Sequence, residues 1–146
     1  MRILITGVSG MLGNNLALAF SESHEVCGTY LSHPVCIPGT RTFGLDLTDY
    51  AAVRRLLLHL QPDAIIHCAS RTAVDAMETD REGGWEANVL TSRNIVDAMR
   101  DQSGKLVLVS TDSVYPGTDG PAGEDTPPAP KNWYGHTKLM AEDVFR

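Results

Sequence analysis

Short strand-like apolar runs alternate with longer helical patterns, a glycine-spaced turn stands directly behind the first run, and the fourth run shows no polar alternation. Together these predict an open, doubly wound α/β sheet of parallel strands joined by helical crossovers. With 146 residues and 42% hydrophobic content, residues 1–146 suffice for one domain with its own core.

The first strand is expected at Arg2–Thr6 and the first helix over residues 12–20, with Leu12, Leu16 and Phe20 on one stripe. A second strand follows at Glu25–Tyr30. Pro34, Pro38 and Gly39 interrupt residues 32–40, and a short third strand closes at Leu45-Asp46-Leu47. Thr48 reads as the N-cap of a helix over 49–60 that Pro62 stops. Residues 64–68 should be a central strand buried on both faces. A loop through Asp75 and Asp80 leads to a helix over 82–102, and after Gly104 a fifth strand covers 106–109. Gly117, Gly120, Gly123 and four prolines then forbid regular structure until a last helix near Asn132.

The formal charge of -6 comes without a cluster of lysines or arginines, which removes the electrostatic footprint of a nucleic-acid partner. No apolar run reaches membrane-spanning length. Met1-Arg2 passes straight into Ile3-Leu4-Ile5 and Gly7, too short for a signal peptide, so a cytoplasmic location is expected. Cys27, Cys36 and Cys68 form no CxxC pair and no metal-ligand spacing with the histidines; they read as reduced thiols, with no metal site.

Gly7, Gly10 and Gly13 sit where a strand hands over to a helix. There glycine makes the tight turn, admits a diphosphate against backbone, and lets the helix pack closely. The spacing is GxxGxxG, so position rather than pattern carries the inference of a dinucleotide site. At the end of the second strand, Gly28-Thr29-Tyr30-Leu31-Ser32 offers no carboxylate to a ribose 2′-hydroxyl. That leans toward NADP, with Arg41 or Ser32 near the extra phosphate, and leaves NAD open. Asp46 reads equally well as an acceptor for the adenine amino group or as an acid leading the next helix. Ala69 and Ser70 are small enough to let a cofactor approach backbone, as ordinary turn residues also are. His67 and Cys68, inside the fourth run, read as packed core groups.

Tyr134 and Lys138 stand four residues apart, on one face of the last helix. A free phenol titrates near pH ~10, and a neighbouring ammonium lowers that value into the range useful for proton transfer. The pair alone is common on solvated helix faces; beside the glycine turn and the hydroxyl of Thr111, after the fifth strand, it implies hydride chemistry on a nicotinamide cofactor.

With these residues laid out, the chain resembles the extended short-chain dehydrogenases/reductases, and among them most the dTDP-4-dehydrorhamnose reductases. The likeness runs through Gly7-Val8-Ser9-Gly10-Met11-Leu12-Gly13, Thr72-Ala73-Val74-Asp75 with Glu78, Asn88, Ser110-Thr111-Asp112 with Val114 and Gly117, and Tyr134-Gly135 with Thr137-Lys138 and Glu142. The resemblance implies a fold of Rossmann type and NAD(P)H-dependent reduction of a nucleotide-linked 4-keto-6-deoxy sugar. In it Tyr134 acts as general acid, Lys138 lowers the phenol pKa and holds the nicotinamide ribose, and Thr111 binds the sugar oxygen. It further implies cofactor contacts at Ser9, Met11, Leu12, Leu47 and Asn88, beside Gly7, Gly10, Gly13, Asp46, Ala69 and Ser70. Asp112 is followed by Ser113 where dehydratases of the superfamily carry a glutamate, which favours reduction. A sugar-nucleotide epimerase and a non-catalytic dinucleotide-binding subunit are the alternatives. Such enzymes continue beyond the Tyr–Lys helix with further strands and a substrate-binding domain, so a longer chain is expected. Without them the fifth strand is an open edge that invites association with another copy.

Overall fold

The computed structural model describes residues 1–117 and 120–146. Five parallel strands form one sheet: β1 (Arg2–Thr6), β2 (Glu25–Tyr30), β3 (Thr40–Gly44), β4 (Ala64–His67) and β5 (Lys105–Leu108) lie in the order β3-β2-β1-β4-β5. The order reverses between β1 and β4, the switch point at which open α/β sheets form a crevice beyond the carboxyl ends of their strands. Thr6 is in register with both Thr29 and His67, so the exits of β1, β2 and β4 lie side by side.

Alternate side chains leave opposite faces of the strands, so each face buries its own set of apolar groups. Leu4, Cys27 and Ile65 pack with Val53, Leu57 and Leu60 of α2 (Tyr50–Leu60) and with Ile95, Ala98 and Met99 of the helix after β4. Ile3, Ile5 and Val26 pack on the other face with Val8 and with Ala17 of α1 (Met11–Ser21). Leu12 leaves the expected stripe and is 43% exposed; the small residues Gly13 and Ala17 are the buried ones, which brings α1 close to the strands.

Three local readings change. β3 ends at Gly44, because the Asp46 carboxylate accepts the amide (2.9 Å) and hydroxyl (2.7 Å) of Thr48 and turns the chain out of the sheet. Thr48 does not cap α2: it stands one residue before the N-cap, its hydroxyl donating to Asp46, and Asp49 caps the helix by accepting the Ala52 amide at 3.0 Å. The expected loop through Asp75 and Asp80 carries α3 (Val74–Thr79), and the expected long helix is broken into α4 (Arg81–Trp85), a π-helical turn (Glu86–Leu90) and α5 (Thr91–Met99). A 3₁₀ turn (Asp112–Val114) follows β5, and α6 (Trp133–Phe145) starts from Asn132, whose side chain accepts the Gly135 amide at 2.7 Å.

β5 is an edge strand, and Val107 on it is 48% exposed. Among the described residues, no helix is long and apolar enough to cross a membrane.

Candidate functional site

The turn behind β1 is made of backbone. Gly7 has φ +71, and a Cβ there would stand 2.8 Å from the Ala69 Cα; a Cβ on Gly13 would run into the Gly7 carbonyl. The Val8 amide donates to the Thr29 carbonyl (3.0 Å) and the Gly10 amide to the Gly7 carbonyl (3.0 Å), which fixes the turn against β2. Gly10 is the N-cap of α1 and supplies no side-chain cap, and the first turn holds no acid. The Asn14 amide is the first in α1 to reach a helix carbonyl, that of Gly10 at 3.0 Å. The amides of Met11, Leu12 and Gly13 therefore point outward at the positive end of the helix, the arrangement that binds a phosphate. Met11 is 86% exposed.

A cleft of about 580 Å³ runs from this turn along the carboxyl edge of the sheet. Gly7, Ser9 and Gly10 line one part of it, and Asp46 with Leu47 the far end. Ala69 and Ser70, at the exit of β4, also line it, with Cys68 beside them. Tyr30 and Leu31 also line it; they were met in the sequence as the place of a missing carboxylate, not as walls. Arg71 and Glu86 were not foreseen, and no sequence pattern marks them. Of the residues suggested for a 2′-phosphate, Arg41 pairs at 3.0 Å with Glu25, which opens β2 at the opposite edge of the sheet, while Ser32, directly after the cleft-lining Leu31, bonds to His33 at 2.9 Å.

The Asn88 amide is spent on the protein. Its Oδ1 accepts from Ser70 Oγ (3.0 Å) and the Arg71 amide (2.8 Å), while its Nδ2 donates to the Arg71 carbonyl (3.0 Å) and Thr137 Oγ1 (2.9 Å). Asn88 is 2% exposed and lies within the π-helical turn, a distortion often found at functional sites. It thus braces the wall of the cleft against α6, one residue from Lys138. Thr137 passes the restraint on by donating to the Tyr134 carbonyl at 2.8 Å.

Gly135 lets α6 come close to the 3₁₀ turn, since a Cβ there would meet the Ser113 carbonyl and, at 2.9 Å, the Pro130 side chain. A glycine inside a helical pattern is a sign of such an approach. Tyr134 is half-buried on this helix, and Lys138 one turn later is buried, its Nζ donating to the Val109 carbonyl at 2.6 Å. Burial pushes the Lys138 ammonium below the usual lysine range, and the charges of Glu142 and Cys68 pull it back. Glu142 is held in turn by the Ser110 hydroxyl. The Thr111 hydroxyl accepts the Ser113 amide at 3.2 Å and lies 3.3 Å from the Asp112 carboxylate, so it starts the turn facing α6.

His67 is buried between the two corners. Its Nδ1 is 2.7 Å from Thr6 Oγ1, which also accepts the Ala69 amide at 3.1 Å, and its ring stacks on Phe145 of α6. Burial first, and the Lys138 charge second, lower its pKa to about 3, so it stays neutral. Burial raises the Cys68 thiol pKa, and it carries no nucleophile's profile.

The profile of the RmlD substrate binding domain matches residues 1–146. The chain belongs to that family. Among similar proteins, the Xenopus tropicalis "Methionine adenosyltransferase 2 subunit beta" is 38% identical over 144 residues, which are 97% of this chain and 41% of that protein. The structure of a hypothetical dTDP-4-dehydrorhamnose reductase from Sulfolobus tokodaii superposes with TM-score 0.91 at 38% identity, covering 99% of this chain and 51% of that one. That of the Bacillus anthracis dTDP-4-dehydrorhamnose reductase in complex with NADP gives TM-score 0.82 at 33% identity over 99% of this chain and 49% of that one. The RmlD-family chain described here therefore spans about half the length of these relatives, or less.

Proposed function

We propose that residues 1–146 are the NAD(P)-binding portion of a reductase that converts a nucleotide-linked 4-keto-6-deoxy sugar to the alcohol. The reading rests above all on the burial of Lys138 against the exit of β5, one helical turn from Tyr134, at the same sheet edge as the glycine cradle. The cradle fits a dinucleotide: its three outward amides meet the diphosphate, and Gly7 and Gly13 leave the space that a Cβ would fill. Asp46 and Leu47 would hold the adenine end. No carboxylate follows β2 to claim a ribose 2′-hydroxyl, which favours NADP over NAD. The B. anthracis reductase, crystallised with NADP, supports the same choice.

A reduced nicotinamide, when bound, supplies the hydride. Tyr134 gives its phenolic proton to the sugar oxygen as the carbonyl is reduced, and Lys138, held on the Val109 carbonyl one helical turn away, orders this corner. Thr111 holds the oxygen at the mouth of the β5 turn. Asn88 acts as a positioning residue, setting α6 against the cleft wall. The test is NADPH oxidation by the purified protein with dTDP-4-keto-6-deoxy sugar: Tyr134→Phe should slow turnover ~10²- to 10⁴-fold with unchanged cofactor affinity. Equal rates in wild type and variant would remove the acid assignment. Cofactor consumption also separates reduction from epimerisation, which regenerates its nicotinamide in each turnover.

A non-catalytic subunit is the second reading, favoured by the name of the frog relative, a subunit of methionine adenosyltransferase. In that case the protein binds dinucleotide and Tyr134→Phe changes nothing because no sugar is reduced.

A further inference from the structure

Among the described residues lining the cleft, Arg71 is the one cation, while Asp46 and Glu86 in the same lining are acidic. A dinucleotide diphosphate carries two negative charges, and the end of α1 offers only a partial positive one. The cradle thus has the shape for its ligand but not the charge, unless Arg71 contributes.

Arg71 is built for that. Its backbone is fixed, the amide and carbonyl both bound to Asn88, while its side chain is a third exposed and reaches over the first turn of α4. There Nη1 meets the carboxylate of Asp80. Gly83 makes the room: a Cβ at that position would stand 2.9 Å from Arg71 Nη1. Asp80 is itself largely exposed and has a second partner, the Gly83 amide at 3.1 Å, which it keeps when the guanidinium leaves. An ion pair in such contact with water is weak and easily exchanged. A diphosphate in the cleft offers the planar guanidinium two parallel hydrogen bonds instead.

We propose that Arg71 exchanges its ion pair with Asp80 for the diphosphate of a dinucleotide lying on the N-terminus of α1, and so clamps the cofactor from the opposite wall. This clamp rests on the dinucleotide reading given above. It also assigns Asp80 a second task besides capping α4, that of holding the arginine in place while the cleft waits for ligand.

The full protein is titrated with NADPH, followed by nicotinamide fluorescence, and with ADP and adenosine by calorimetry. Arg71→Met should weaken NADPH and ADP roughly ten- to hundredfold and leave adenosine, which has no phosphate, unchanged. Arg71→Lys should recover part of the loss, and Asp80→Asn, which frees the arginine, should bind ADP at least as tightly as wild type. A thermal melt checks each fold, and if Arg71→Met does not fold, Arg71→Lys and Asp80→Asn carry the comparison. Unchanged ADP affinity in the arginine variants, or weaker binding in Asp80→Asn, overturns the clamp. Loss of affinity for dTDP alone, measured with NADPH saturating, overturns it too, because the arginine then serves the sugar nucleotide. A wild-type protein that binds neither NADPH nor NADH sinks the dinucleotide reading itself, a different failure from an arginine that does not matter.

Discussion

The turn behind β1 and the corner where α6 meets the exit of β5 lie along one sheet edge, yet they are made of opposite materials. On the reading proposed above, the first works through amides and the absence of side chains at Gly7 and Gly13. On the same reading the second works through the side chains of Thr111, Tyr134 and Lys138, and the backbone's task is to bring α6 close enough. The first corner is therefore intolerant of any added atom. The second tolerates exchange of its functional groups, but depends on braces that hold them in register. Substitutions at the first should damage fold and ligand binding together, whereas at the second they should separate the two.

The largest effect is expected at Gly13. A Cβ there collides with the Gly7 carbonyl, which belongs to backbone pinned on both sides, so relief requires the whole turn to move. Gly13→Ala should cost about 1–3 kcal/mol in urea unfolding, the range for overpacking, and should also abolish measurable NADPH binding. Tyr134→Phe, in contrast, should melt like wild type. If Gly13→Ala binds NADPH normally, the cradle is not where the diphosphate lies.

Next in size is the pH dependence carried by His67, which joins the two corners through Thr6 on one side and Phe145 on the other. In the fold its pKa is lowered to about 3, while the unfolded chain should return it near 6.5. Between those values the unfolded state binds the extra proton, so stability falls as the solution is acidified, by up to about 1.4 kcal/mol per pH unit. The window from pH 6.5 down to about 5 isolates this residue from most carboxylates. His67→Gln should flatten urea midpoints across it; parallel curves for variant and wild type would mean the ring is not held neutral.

The contrast between the corners also explains what could be read before any coordinates. Backbone sites announce themselves in sequence, because glycine at a strand-to-helix junction has few other reasons to recur at Gly7, Gly10 and Gly13. That Tyr134 and Lys138 lie one turn apart on α6 was legible from helical spacing. What was not legible is what holds them: Asn88 reaches back 17 residues to Arg71 and 18 to Ser70, and forward 49 to Thr137, and no local pattern encodes such contacts. The break of residues 82–102 by a π-helical turn was hidden for the same reason, since its hydrophobic periodicity continues across it. Arg71 follows no motif and emerges only as the cation lining an otherwise acidic cleft. The misplacement of the cap at Thr48 has a local cause, three neighbouring residues that all bear oxygen and compete for two amides.

The loop between β3 and α2 mixes the two materials, and it supplies the smallest effect. Asp46 lines the cleft, but one of its oxygens is held by Thr48, while Asp49 alone caps the helix. Asp49→Ala should therefore cost about 1 kcal/mol, the usual loss of an N-cap, and leave adenosine affinity unchanged. Thr48→Val should cost less, since the helix keeps its cap, yet it should alter adenosine binding because the Asp46 carboxylate loses its hydroxyl partner. Thermal melts paired with adenosine calorimetry on the two variants separate the roles. If Thr48→Val destabilises the protein as much as Asp49→Ala does, the cap is shared, and the division between a side chain that serves the helix and one that serves the cleft does not hold here.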